Sequence, residues 1–384
     1  MTNEIKNVPE LRFPEFEDGW KLVHLNDLGN FTSGGTPLKT KKSYWDGDIP
    51  WLTTGDINGK KIHKASNYIT QEGLENSSAK LVYKESILIA MYGQGKTRGM
   101  SSILNFEAAT NQACAIFQTN NDIKFMHQFL RKDYNKLRSL SNDGSQKNLS
   151  LTLLKNHQIS VPKLEEQQKV GDFFSKLDRQ IELEEQKLEK LEEQKKGYMQ
   201  KIFSQELRFK DENGNDYQEW RKEKLKNIAK VKTGNKNAQD NINKGQYKFF
   251  DRSVDIKYLN TYDYDEKAII YPGEGSKFLP RYFEGKYSLH QRAYSIYNIE
   301  INPTYLYNFL LLQNNHFLRY AVGSTVKSLR MGAFDKLEVL IPDSNEQRKI
   351  GDFFRSMDEL VEKQTNKIEL LKTRKKGFLQ KMFV

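Results

Sequence analysis

Apolar residues recur on alternating steps of three and four along residues 161–203: Val170, Phe174, Leu177, Ile181, Leu188, Leu191, Tyr198 and Ile202. Residues 341–383 carry the same stripe as Ile350, Phe354, Met357, Val361, Ile368, Leu371, Phe378 and Met382. The two stretches align without a gap at a constant offset of 180, sharing Pro162/Pro342, Glu166/Glu346, a GDFF run from Gly171/Gly351 and KKG from Lys195/Lys375. Such spacing is the seam of a coiled coil. Its gaps match too, Glu184 in register with Gln364 and Lys195 with Lys375. Polar residues at seam positions cost stability and fix register and pairing. Pro162 marks one helix start, and Pro342 followed by Ser344 and Gln347, spaced as a capping box, marks the other. From about Glu165 to Phe203 a helix runs about 58 Å at 1.5 Å per residue. The expectation is two long helices that pair antiparallel and hold two globular units a fixed distance apart, with Phe173 and Phe353 beside the seam. The alternative is that each stripe packs on its own globular neighbour.

The repeat extends beyond the helices. Glu10-Leu11-Arg12-Phe13 recurs as Glu206-Leu207-Arg208-Phe209, Trp20 as Trp220, Ser33-Gly34 as Thr233-Gly234, and Gly144-Ser145 as Gly323-Ser324. NQACAI from Asn111 is echoed by HQRAYSI from His290. Between these anchors the two globular parts differ, one carrying WDGDIPWLTTGDI from Trp45 and LVYKESILIAMYG from Leu81, the other GQYKFFDRSVDIKYL from Gly245 and KAIIYPGEG from Lys267. Short β-rich runs broken by Gly, Asn, Asp and Pro indicate loop-rich mixed α/β domains, with helices near 122–140 and 303–320 closing each one. The expected layout is a globular domain at 1–160, a helix at 161–205, a second globular domain at 206–340 and a second helix at 341–384. Because the helices match while the globular parts diverge, the two domains are expected to recognise different things.

Composition adds a partner class. The 384 residues carry a net charge of +11, with 29% charged and 12% aromatic residues. The pI is about 9.2 and the mean hydropathy −0.77. A water-soluble chain with this excess of positive charge favours nucleic acid or another anionic surface. No apolar run reaches membrane length, and the N-terminus lacks the basic and apolar regions of a signal peptide, so the cytoplasm is expected. The single cysteine, Cys114, lies in an apolar run as a small core residue, and the six histidines show no metal-ligand spacing.

Basic residues interleaved with aromatic and small polar ones mark the candidate DNA contacts. They are Lys39, Lys41 and Lys42 ahead of Trp45, Thr53 and Thr54 behind it, and Lys96 and Arg98 in a glycine-rich loop. In the second half they are Arg252, Ser253, Lys277, Arg281 and Arg292. Lys and Arg neutralise phosphates, and Arg, Ser and Thr read base edges. The loop at 93–97 ends in GKT, but a phosphate-binding P-loop requires glycine where Ala90 stands. Glu284-Gly-Lys286 with Asp265 resembles a nuclease triad without its second carboxylate. The nine prolines are never adjacent, which removes the proline pair of a base methyltransferase, and no nucleophile–base constellation is present. The chain reads as non-catalytic.

The duplicated P-x-x-x-EQ…GDFF…KKG block, with GDIPWLTTGDI and TNQACAI, resembles the specificity subunit of type I restriction–modification systems. Family members carry LPPL before EQ; here VPKL and IPDS stand in its place. The resemblance implies two target-recognition domains, each reading one half of a bipartite DNA target, and helices that set the gap and dock two methyltransferase subunits. S-adenosylmethionine, ATP and Mg are then held by those partners and by restriction subunits, and this chain carries no cofactor. Unlike domains imply an asymmetric target. The runners-up are an orphan or regulatory DNA-binding protein of the same layout, an ATP-dependent enzyme using the 93–97 loop, and a coiled-coil scaffold. The helix-pair interface expected is Phe173, Phe174, Leu177, Ile181, Leu188 and Leu191 against Phe353, Phe354, Met357, Val361, Ile368 and Leu371.

Overall fold

A computed structural model describes residues 7–93, 96–140, 148–253 and 255–384. Gln94, Gly95, Gly144 and Ser145 lie outside them. The chain divides into two compact units, Met1–Glu185 with Lys367–Val384, and Gln186–Asn366. Each therefore combines one globular part with portions of both long helices.

Those helices span Leu164–Phe203 and Ser344–Lys381. In the first unit Phe173 meets Phe378, Asp178 meets Lys375 and Glu184 meets Lys367, so one helix number rises as the other falls. The pairing is antiparallel. The same holds in the second unit, where Lys195 meets Asp358 and Tyr198 meets Phe353. The stripe serves two surfaces rather than one. Ile181 and Ile368 are buried and Leu177, Leu188, Leu191, Val361 and Leu371 half-buried. Phe174 joins Trp20 and Phe125 in the first globular core, and Phe354 joins Trp220 and Tyr305 in the second. Packing on the globular neighbour thus accounts for the stripe's ends, and helix pairing for its middle.

The polar seam positions are corrected in one respect. Lys195 and Lys375 do not answer each other: each meets an aspartate of the opposite helix, Lys195 with Asp358 and Lys375 with Asp178 at 2.5 Å. Asp178 and Asp358 are themselves repeat equivalents, so the two ion pairs are reciprocal. Burial opposes ionisation of Asp178, yet Arg131, Lys375 and Gln128 hold its carboxyl below the usual range. Burial, reinforced by Arg131, pushes Lys375 down to about 8.

The Glu-Gln pair at each helix start forms a clamp instead of a capping box. Glu166, almost fully buried, accepts two bonds from Arg12, both 2.8 Å, and one from the Trp20 indole at 3.3 Å. Glu346 accepts from Arg208 at 3.2 and 2.8 Å and from Trp220 at 3.0 Å. Gln347 is drawn away from Ser344: its amide donates to the Pro342 carbonyl at 2.9 Å and accepts from Asn302 N at 2.9 Å. Gln167 does the same with Pro162 and Asp122. The Asp343 carboxylate caps the second helix by accepting from Asn345 N.

Asp122 and Asn302 in turn cap the helices Ile123–Lys132 and Pro303–Leu311. The expected 122–140 helix breaks at Asp133 before Tyr134–Ser139, and the 303–320 helix resumes at Asn314–Tyr320. Gly171 lets the first of these caps approach: a Cβ there would lie 2.3 Å from Asp122 Oδ1 and 2.9 Å from Phe125 N. Beside Gly197 nothing lies within 4 Å.

In the first unit, strands Gly29–Ser33, Cys114–Thr119, Ile87–Ala90 and Ser101–Ile103 form one antiparallel sheet. Asn67–Ile69, Trp45–Leu52, Ala108–Thr110 and Leu81–Val82 form another, with one parallel step. The 81–93 run therefore makes two strands in different sheets, divided at Glu85, whose φ is 67°. The second unit instead holds one six-stranded sheet, in the order Lys230–Thr233, Ala293–Tyr297, Tyr264–Pro272, Arg281–Leu289, Tyr247–Phe250, Lys257–Leu259. In both units a two-stranded ribbon leads into the long helix: Lys21–His24 with Gln158–Val161, and Arg221–Lys224 with Glu338–Ile341. Leu11 N donates to Lys381 O at 2.8 Å, and Leu207 N to Lys201 O at 3.0 Å, so the ELRF segment docks on a helix end the same way in each unit.

Two glycines of one helix separate close packing from flexibility. Gly171→Ala should destabilise the protein by about 1–3 kcal/mol through overpacking, whereas Gly197→Ala should stabilise it by up to ~1 kcal/mol. Urea unfolding of both variants reads the two signs. Glu166→Ala should cost about 3 kcal/mol, because it leaves a half-buried guanidinium and a buried indole N–H without their acceptor.

Candidate nucleic-acid interface

In the second unit the fold gathers candidates that are far apart in sequence. Arg252 and Ser253 sit on the loop after strand Tyr247–Phe250, Arg281 opens the strand Arg281–Leu289, and Arg292 lies in the turn before Ala293–Tyr297. Their hub is Glu274. Its carboxylate accepts from Arg252 at 2.9 Å and from Arg292 at 2.5 Å, and these two bonds hold it below the usual carboxylate range. Arg281 donates to the Ser253 carbonyl at 3.0 Å. Asp251, buried beneath the loop, accepts from Ser253 N at 2.8 Å, Ser253 Oγ at 2.7 Å and Lys257 at 2.5 Å. Burial opposes this charge, but Lys257 and Ser253 prevail and its carboxyl titrates below its ordinary value.

Ser253 and Arg281 take part in holding this loop in shape. Arg252 and Arg292 are exposed but occupied by Glu274, an ion pair that a phosphate or base edge can exchange. Lys277 is exposed and, among the described residues, pairs with no carboxylate. The aromatic part of the surface was not singled out from sequence: exposed Tyr262 lies 4.9 Å from Tyr247, with the Lys286 ammonium 4.7 Å from its ring.

The first unit does not bring its candidates together. Lys39, Lys41 and Lys42 precede strand Trp45–Leu52 and Thr53 and Thr54 follow it, at opposite ends of the same strand. Lys41 is held by Glu72 at 2.6 Å and by the Tyr44 hydroxyl at 3.1 Å, while Lys39 and Lys42 pair with no carboxylate among the described residues. Thr53 caps its own turn, accepting from Gly55 N at 3.2 Å and donating to Asp56 at 3.1 Å. Lys96 and Arg98 are tied to the helix Tyr134–Ser139 instead: Tyr134 donates to the Lys96 carbonyl at 2.6 Å and Arg98 to the Arg138 carbonyl at 3.0 Å. Past Thr97 the chain enters strand Ser101–Ile103 and not the helix a P-loop requires.

The nuclease-like residues are cross-strand charge pairs, Glu284 with Lys267 at 3.4 Å and Asp265 opposite Lys286. No group of three or more His, Cys, Asp or Glu among the described residues could hold a metal ion. Cys114 is buried, its thiol pushed up to about 12 by burial. No helix among the described residues is long and apolar enough to cross a membrane.

Residues 17–193 and 217–372 fit the model of the type I restriction modification DNA specificity domain, and the chain belongs to that family. It is 29% identical over 174 residues to the EcoR124I/EcoR124II specificity subunit of Escherichia coli, covering 44% of this chain. That match spans 43% of the relative's length, and a similar one to the Escherichia coli EcoDI specificity subunit spans 36%. The MjaIX specificity subunit of Methanocaldococcus jannaschii is 23% identical over 97% of this chain and 96% of its own. Among solved structures, a type I restriction–modification S subunit from M. genitalium superposes with a TM-score of 0.65 at 16% identity, covering 98% of this chain and 99% of that one.

The buried carboxylate of Asp251 gives this loop a pH signature. Asp251→Asn should lower stability at pH 7. Because the folded-state value lies below the unfolded one, that contribution exists above the unfolded value and is lost as pH falls through the folded one. The deficit against wild type should therefore narrow below about pH 4, as read by thermal melts across pH 3–7.

Proposed function

We propose that this chain is the non-catalytic DNA-recognition subunit of a type I restriction–modification complex, reading an asymmetric bipartite target with one half per recognition domain. The observation that supports this best is the contrast within the repeat. The Arg–Glu–Trp clamp, the helix seam and the ribbon are held in common, while one unit presents two four-stranded sheets and the other a six-stranded one. Selection for two different half-sites on one common mounting gives that pattern. The exposed cations without a carboxylate, Lys39, Lys42, Lys96 and Lys277, are suited to phosphates, and Arg252 and Arg292 to exchangeable contacts with guanine edges.

In this reading the long helices dock two methyltransferase subunits and their length governs the gap between half-sites. The partners bind S-adenosylmethionine and modify adenine; restriction subunits using ATP and Mg join through the complex. The complex acts on double-stranded DNA in the cytoplasm. The globular segments 1–160 and 206–340 are the exchangeable readers, and 161–205 and 341–384 the spacer.

Exchanging 206–340 for the corresponding segment of another specificity subunit should alter one half of the methylated motif and leave the other half and the gap unchanged. A change in both halves contradicts the modular reading. Lys277→Ala should weaken duplex binding evenly across sequences and lower the slope of log K against log salt by about 1. Fluorescence anisotropy in a salt series measures it, and an unchanged slope removes Lys277 from the interface.

A further inference from the structure

The first unit contains a cleft of about 610 Å³ between the segment at 58–63, the helix Ile123–Lys132 and the two long helices. That volume lies within the range of small-molecule sites, roughly 300–1,000 Å³. Eight lysine or arginine side chains line it against three carboxylates. The carboxylates are already committed: Asp178 to Arg131 and Lys375, Glu185 to Lys60 and Lys372, Glu182 to Arg179. Among the described residues Lys61 and Lys376 pair with no carboxylate, and both are exposed. The floor is apolar, formed by Ile103, Ile181 and Leu379.

The repeat supplies an internal comparison. At an offset of 180, Lys124, Arg131, Arg179 and Lys372 of the cleft correspond to Thr304, Leu311, Glu359 and Glu192. The clamp, the seam aspartates and the helix caps are kept across that same alignment. Lys375 and Lys376 recur as Lys195 and Lys196, but at the four positions that differ the positive charge is no requirement of the shared architecture. It is concentrated in one copy, where the cations outnumber their partners and burial holds Lys375 at about 8. An anion in the cleft relieves that repulsion.

We infer that this cleft binds a small phosphorylated ligand of the nucleoside-polyphosphate class, its phosphates on Lys61 and Lys376 with Lys60 and Lys372 beside them, and its base on the apolar floor. The site is separate from the glycine-rich loop at 93–97 and from the DNA-reading residues, so it stands or falls apart from the DNA-recognition reading.

Isothermal titration calorimetry on the full chain with ADP tests it, with tripolyphosphate and adenosine as the two part-ligands. Saturable 1:1 binding of ADP is expected, tighter than either part. The Lys61→Glu/Lys376→Glu variant, altered only at exposed positions, should bind at least tenfold more weakly. Lys196→Glu, at the position equivalent to Lys376 in the other repeat, should bind ADP as wild type does. Absence of saturable binding at millimolar ADP, or equal affinity in the double variant, overturns the site. ADP bound no more tightly than tripolyphosphate overturns the nucleoside assignment. Displacement of ADP by a short DNA duplex assigns the lysines to DNA backbone and overturns the small-ligand reading.

Discussion

Each long helix is fixed to its globular neighbour by one buried carboxylate. Glu166 and Glu346, almost wholly withdrawn from water, each collect a guanidinium and an indole N–H from a segment more than a hundred residues away in sequence. Desolvating a carboxylate is costly, and the cost is offset only while every lone pair is engaged in good geometry. The bidentate arginine raises the demand for precise placement, because its fork admits few orientations. The clamp therefore supplies direction as much as stability. It sets where the helix starts against the globular part, and the neighbouring glutamine ties the same point to the N-cap of Ile123–Lys132 or Pro303–Leu311.

From that anchor the remaining organisation follows. Gly171 and Gly351 come five residues after the clamps, where the helix faces the capping residue Asp122 or Asn302 at close range. The phenylalanines beside them fill the globular cores, and farther along the seam passes to the opposite helix. There the reciprocal pairs Asp178–Lys375 and Lys195–Asp358 replace apolar contacts. A one-turn slip would strand a buried lysine without its aspartate, so these pairs specify register. Such a mounting tolerates wide divergence in what it carries, because the clamps, the helix caps and the seam ion pairs use no residue of the sheets that differ.

How much of this was legible in the sequence depended on range. The helices and their stripe repeat every few residues, and the duplication printed the pattern twice, so both emerged from periodicity alone. Strand order did not: the six-stranded sheet pairs Tyr247–Phe250 with Arg281–Leu289, a closure over dozens of residues that no local pattern encodes. The clamp showed its parts, since ELRF, the tryptophan and EQ all repeat, but no local pattern marks Glu166, beside Glu165 and Gln168, as the buried one. The DNA candidates were identifiable as residue types only. Whether an arginine is free or held is a tertiary fact, and the Arg252–Glu274–Arg292 triplet joins a loop, a short strand and a turn that are separate in sequence.

The central claim is that two unlike readers on a common mounting define one asymmetric bipartite target. Its most direct test is long-read mapping of methylated adenine in cells expressing this chain with the methyltransferase subunit proposed as its partner. The account predicts one motif with two different halves separated by a fixed gap of unspecified bases. A symmetric motif, or complex formation with no motif at all, would contradict it.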